Sequence, residues 1–106
     1  MKNNGFSPHQ ILYDEKELFL KFMNEKYPIF FNSNIFFRDI QFALTSYFAY
    51  KEKPITYKMA EQLAQDLIEQ LENNNELTKI SNNSWRVDFH LEKQIENEEE
   101  KIKEEG

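Results

Sequence analysis

Apolar residues in this chain group into three helix-length stripes, followed by two short alternating runs. From Thr56 to Leu71 they recur at Ala60, Leu63, Ala64, Leu67, Ile68 and Leu71. That is the i, i+3, i+4, i+7 spacing of a helix with one buried face. Thr56 is placed to cap the first turn, and Asn73-Asn74-Asn75 stops the helix. Glu76 to Phe89 then reads as strand, turn at Asn82-Asn83, strand, because Trp85, Val87 and Phe89 alternate with Arg86 and Asp88. Asn tolerates the positive φ of a type I′ turn. A two-residue loop there places Ser81 opposite Ser84, Ile80 opposite Trp85 and Thr78 opposite Val87. The same register leaves Lys79 beside Arg86 on the solvent side, a mildly unfavourable like-charge pair.

Upstream, Asp14-Glu15-Lys16-Glu17 has the spacing of a capping box and opens a first helix that buries Leu18, Phe19, Phe22 and Met23. Pro28 ends it near Tyr27. Ile29 to Asn34 is a short extended piece closed by capping residues. A second helix then spans about Ile35 to Tyr50, with Phe36, Phe37, Ile40, Leu44, Tyr47 and Phe48 as its stripe and Ala43 inside it; Phe42 and Tyr50 lie off the stripe. The expected core is Leu18, Phe22, Phe37, Ile40, Leu44, Leu63, Leu67, Leu71, Ile80, Trp85 and Val87. After Phe89 the pattern decays, and Leu91, Ile95 and Ile102 are too sparse for a coiled-coil seam.

With 106 residues the chain has room for one core. The layout expected is a flexible N-terminal segment at 1–12, one domain at 13–89, and an acidic, disordered or frayed helical tail at 90–106. Of the net charge of −6, −4 falls after Phe89, so the folded part is close to neutral. No Cys is present, which excludes disulfides, thiolate metal sites and a cysteine nucleophile. No apolar h-region follows Met1 and no run of about 18 apolar residues occurs anywhere, so the expectation is a soluble, cytoplasmic protein without a membrane span.

The element order helix, extended piece, helix, turn, helix, hairpin resembles a winged-helix domain over about Asp14 to Phe89. The wing-like part is Leu77, Ile80, Trp85 and Val87. Ala60-x-x-Leu63-x-x-x-Leu67-x-x-x-Leu71 before a hairpin is also similar to the later half of a DEP-type signalling domain. The fold class is therefore mainly α with a C-terminal β-hairpin, a single small winged-helix-like domain. This is a likeness of superfold, which does not fix function.

Three kinds of function follow. Catalysis is not expected: the imidazoles His9 and His90 have no carboxylate or hydroxyl placed near them by local spacing, and the two glycines, at 5 and 106, form no phosphate loop. No metal or other cofactor is expected either. Protein binding, through homodimerisation or another protein partner, is the leading reading. Ten Phe and five Tyr exceed what about 75 ordered residues need for a core, and aromatic residues favour interface centres. The candidate surface is Phe30, Phe31, Phe36, Phe42 and Tyr50. The alternative is a nucleic-acid-binding regulator that uses the wing and the start of the third helix, through Lys51, Lys53, Lys58, Lys79 and Arg86. Against it, the outer positions of that helix include Glu61, Asp66, Glu69 and Glu72 with Lys58 the only cation, which is repulsive toward phosphates.

Overall fold

A computed structural model describes residues 7–91. Among them are helices α1 (Pro8–Asp14), α2 (Lys16–Asn24), α3 (Phe37–Tyr50) and α4 (Tyr57–Asn73). Strand β1 (Asn34–Phe36) precedes α3, and β2 (Leu77–Ser81) and β3 (Ser84–Val87) form the hairpin. The sheet is antiparallel with β3 in the middle, in the order β1-β3-β2. Helices α2, α3 and α4, closed by a hairpin whose second strand also pairs with the short strand before α3, make a winged-helix-like arrangement, to which α1 is added.

Local chemistry sets most of the element ends. Thr56 caps α4 by accepting from the Met59 amide at 3.0 Å. Asn75 and Glu52 both take positive φ, 61° and 63°. Each ends its helix in the same paired way: Glu76 N reaches Leu71 O and Asn75 N reaches Glu72 O, while Lys53 N reaches Phe48 O and Glu52 N reaches Ala49 O. Such double closures satisfy the last carbonyls of a helix. Two further bonds, Asn32 N to Val87 O and Val87 N to Ser33 O, continue the pairing beyond β1. The three-residue strand is thereby anchored to the hairpin.

The core runs through α2, α3, α4 and the inner sheet face. Phe19, Leu44, Phe48, Leu63 and Val87 have no exposed surface. Of the expected core, Ile40, Leu44, Leu63, Leu67, Leu71, Trp85 and Val87 are buried, and Phe22 and Phe37 are partly buried against them. Two members are corrected. Leu18 is 59 % exposed, because α2 begins at Lys16 after a break at Glu15, and that turns Leu20 inward instead, alongside Phe19 and Met23. Asp14 makes no capping box; its carboxylate accepts from the Gln10 amide side chain at 3.0 Å. Ile80 is 53 % exposed, because the register shifts between Lys79 and Ser81.

That bulge rewrites the hairpin pairs. Leu77 faces Val87, Thr78 faces Arg86 and Lys79 faces Trp85, while Ser81 faces Ser84 as expected. One extra residue on β2 turns Ile80 outward and gives its core place to Leu77. Arg86 stands beside Thr78 and Asp88 rather than Lys79. Two margins of the domain also differ from expectation. Residues 8–12, read as part of a loose leader, lie in α1: Ser7 Oγ accepts from the Gln10 amide at 3.3 Å, Pro8 opens the first turn, and Leu12 is buried. Leu91, read as the start of the tail, is buried in the core cluster. The rest of the expected tail, 92–106, lies outside the described residues.

Candidate interaction surface

Helix α3 carries the clearest candidate. Its inner side buries Ile40, Gln41, Ala43, Leu44, Tyr47 and Phe48. Its outer side leaves Phe42, Ser46, Ala49 and Tyr50 exposed. Phe42 is 42 % and Tyr50 75 % exposed, large values for aromatic rings. The Phe42 ring neighbours Tyr57 of α4 at 6.4 Å, and Tyr50 neighbours Phe22 of α2 at 5.8 Å. Between α2 and α3 opens a groove of about 460 Å³ lined by Phe22, Met23, Glu25, Lys26, Tyr27, Ala43 and Ser46. A second groove, of about 530 Å³, lies where β1, the starts of α3 and α4, and the hairpin turn meet; Phe36, Phe37, Arg38, Tyr57 and Asn83 are among its lining residues.

All five aromatic candidates are exposed, but they do not form one patch. Phe36 and Phe42 lie toward Tyr57, and Tyr50 lies toward Phe22. Phe30 and Phe31 sit on the α2–β1 connection, where Phe31 stacks on His90 at 4.8 Å with the rings nearly parallel. Tyr57, 57 % exposed, was absent from the expected set. As the first residue of α4 after its cap it has no place in the helix stripe, and only the tertiary contact with Phe42 gives it a role.

The five cations are spread over the end of α3, the α3–α4 turn, α4, β2 and β3. Lys51 ends α3 and is held by Glu15 at 3.0 Å, with its ammonium 5.5 Å from the Tyr47 ring centre. Arg86 is paired with Asp88 at 2.9 Å on the outer sheet face. That carboxylate also accepts from Thr78. Lys53, Lys58 and Lys79 are exposed, on the α3–α4 turn, the first turn of α4 and β2. The outer face of α4 presents Glu61, Gln62, Gln65, Asp66 and Glu69 to solvent.

Among the polar contacts that tertiary structure adds, two join one helix to another. His9 Nε2 lies 2.8 Å from Asp66 Oδ2 and ties α1 to α4, with both side chains about half exposed. The two side chains line a cavity of about 370 Å³ between α1 and α4, which Ser7 also borders with its hydroxyl engaged as the cap of α1. The second contact is semi-buried: Glu15 Oε1 accepts from Tyr47 Oη at 2.6 Å, and Lys51 closes on the same carboxylate. The Tyr47 hydrogen bond, with Lys51 beside it, holds the Glu15 carboxyl below the usual range. Burial, reinforced by Glu15, pushes the Tyr47 phenol upward. This triad joins the start of α2 to the end of α3.

Among the described residues no group of three or more His, Asp or Glu side chains is arranged to hold a metal ion, and no helix is long and apolar enough to cross a membrane. Neither family models, nor curated proteins, nor solved structures give a match to this chain.

Proposed function

We propose that this chain is a non-enzymatic interaction module whose binding surface is the outer face of α3. The carrying observation is the pair of exposed rings Phe42 and Tyr50, flanking small exposed residues beside a preformed groove. Exposed apolar patches rimmed by polar groups mark interaction sites in single domains. Aromatic anchors next to a groove supply the desolvated centre such interfaces need. Phe36 and Tyr57 extend the surface toward the hairpin. Phe30 and Phe31 stand apart from it, at His90, and are left out of the interface.

The test compares capture of partners from native-host extract by wild-type protein, by Phe42→Ala/Tyr50→Ala, and by Glu61→Ala/Glu69→Ala on α4. Because the replaced rings are exposed, all three proteins should melt within a few degrees of one another. A specific partner that is lost with the α3 pair and kept with the α4 pair is the expected result. A partner indifferent to the α3 pair would remove α3 from the interface.

The nucleic-acid reading has weaker support. Lys51 and Arg86 are each committed to a carboxylate, and the α4 face that a winged helix usually lays in the major groove carries three acids to one lysine. Bringing that face against phosphates costs energy where a binder normally gains by releasing counterions.

A further inference from the structure

We infer that the partner on the α3 face is a second copy of this chain, its α3 packed antiparallel to the first about a two-fold axis at Ser46. The inference rests on the interaction-module reading above and names the occupant of the surface.

The residue pattern of α3 is symmetric about Ser46 in a way that a foreign partner would not require. Each helical residue advances about 1.5 Å and turns about 100°. Phe42 and Tyr50 lie four residues before and after Ser46, so each stands about 6 Å along the axis and about 40° to either side. Reversing the helix about Ser46 brings Phe42 level with Tyr50 of the second copy, and Ala43 level with its Ala49. The small side chains of Ser46 and Ala49 allow close approach at the crossing, and the rings close over it from both sides. Such a contact is isologous, each copy giving the same patch.

Charge follows the same symmetry. Asp39 in the first turn of α3 comes level with the turn that closes α3 of the second copy, which carries Lys53. Opposite charges thus meet at both ends of the contact. Parallel packing would set Asp39 against Asp39 instead. The antiparallel order also places the positive end of each helix dipole beside the negative end of the other.

The groove has an occupant in this arrangement. Tyr50 leans toward α2, as its contact with Phe22 shows, and the groove at Ala43 and Ser46 opens on that same side. The two-fold rotation carries Tyr50 of the second copy to the mouth of that groove. Phe42, on the α4 side beside Tyr57, covers the opposite flank.

The chain has no Cys, so Ser46→Cys carries a single thiol at the axis. Copper–phenanthroline oxidation should give a covalent dimer, and Gln65→Cys on the outer face of α4 should stay uncrosslinked. By sedimentation equilibrium Ser46→Arg should weaken self-association at least about tenfold, since it sets two guanidinium groups against each other. At concentrations where both proteins are monomeric its far-UV melting curve should match the wild type's, because Ser46 is exposed within the single chain. Asp39→Lys and Lys53→Asp should each weaken the dimer, and the double swap should restore it, which reads out the antiparallel register. Two results overturn the inference: a monomer at every concentration up to about 0.5 mM, or a dimer that ignores Ser46→Arg and leaves Ser46→Cys uncrosslinked. If the protein is monomeric yet the capture experiment still finds a partner lost with Phe42 and Tyr50, the interaction reading stands and only the second copy is excluded.

Discussion

Truncating Ile80 alongside Trp85 tests the hairpin register, because the bulge turns Ile80 outward while Trp85 stays in the core. Trp85 is 5 % exposed, lies between Ile35 of β1 and Lys79 of β2, and donates from Nε1 to Glu72 Oε2 at 2.7 Å. Trp85→Ala removes an indole from the place where the sheet meets α4, and core truncations of this size cost about 3–5 kcal/mol. Trp85→Phe keeps most of the ring and loses the bond to Glu72. That acceptor lies toward the surface and can turn to water, so the cost should be about 1–2 kcal/mol. Ile80→Ala should cost under about 0.5 kcal/mol, the usual range for a surface change. Without the bulge, Ile80 would pack on Trp85 and its truncation would cost about 2–5 kcal/mol. Urea denaturation followed by far-UV circular dichroism measures all three variants on one footing, since the only Trp is among the residues replaced. A domain of this size has about 5–15 kcal/mol in total, so Trp85→Ala should be folded but marginal. A cost above about 2 kcal/mol for Ile80→Ala would refute the register, and one under about 1 kcal/mol for Trp85→Ala would take the whole hairpin off the core.

Glu15 gives a pH signature. Its folded pKa is depressed by the Tyr47 hydrogen bond and by Lys51, so its contribution is complete above the ordinary carboxylate range and is lost as pH falls through that range and past the lowered value. Glu15→Gln should flatten the acid limb of the melting-temperature profile, and an unchanged limb would mean that the triad does not couple to folding. At the alkaline end Tyr47, raised by burial and by Glu15, loses its contribution as pH climbs above the usual phenol range; Tyr47→Phe should remove that limb in the same titration. Leu91→Ala should destabilise by about 1–3 kcal/mol in urea, in line with a buried leucine, and no effect would detach it from the core. Full-length protein should leave mixed DNA and RNA unshifted in low-salt gel assays; a shift that fades steeply with added salt would revive the cation set of Lys51, Lys53, Lys58, Lys79 and Arg86.

The elements legible in the sequence are those whose signal is local. The α4 stripe from Ala60 to Leu71, its Thr56 cap and the Asn stop needed only helical periodicity and capping chemistry. The readings that changed depend on tertiary contacts or on a count of one. β1 is three residues long, too short for an alternation to appear, and exists because β3 is there to pair with it. The bulge at Ile80 adds a single residue, yet with a period of two that is enough to invert a face. α1 is seven residues long, too short for a stripe to stand out, and is held by Leu12 and by the His9–Asp66 contact, whose partners are far apart in sequence. On the surface, exposure of Phe42 and Tyr50 followed from their place off the α3 stripe, whereas Tyr57 and the groove beside Ala43 required the packed helices.

In a winged helix the geometry offers two outward faces, that of the helix before the wing and that of the helix preceding it. Here the first face is acidic and the second apolar. The difference is one of desolvation cost. Glu61, Asp66 and Glu69 keep their hydration if α4 stays in water, and removing it is expensive unless cations replace the solvent. Phe42 and Tyr50 gain about 25 cal/mol for every Å² of apolar surface they cover. Covering the α3 face therefore costs less desolvation than covering the α4 face.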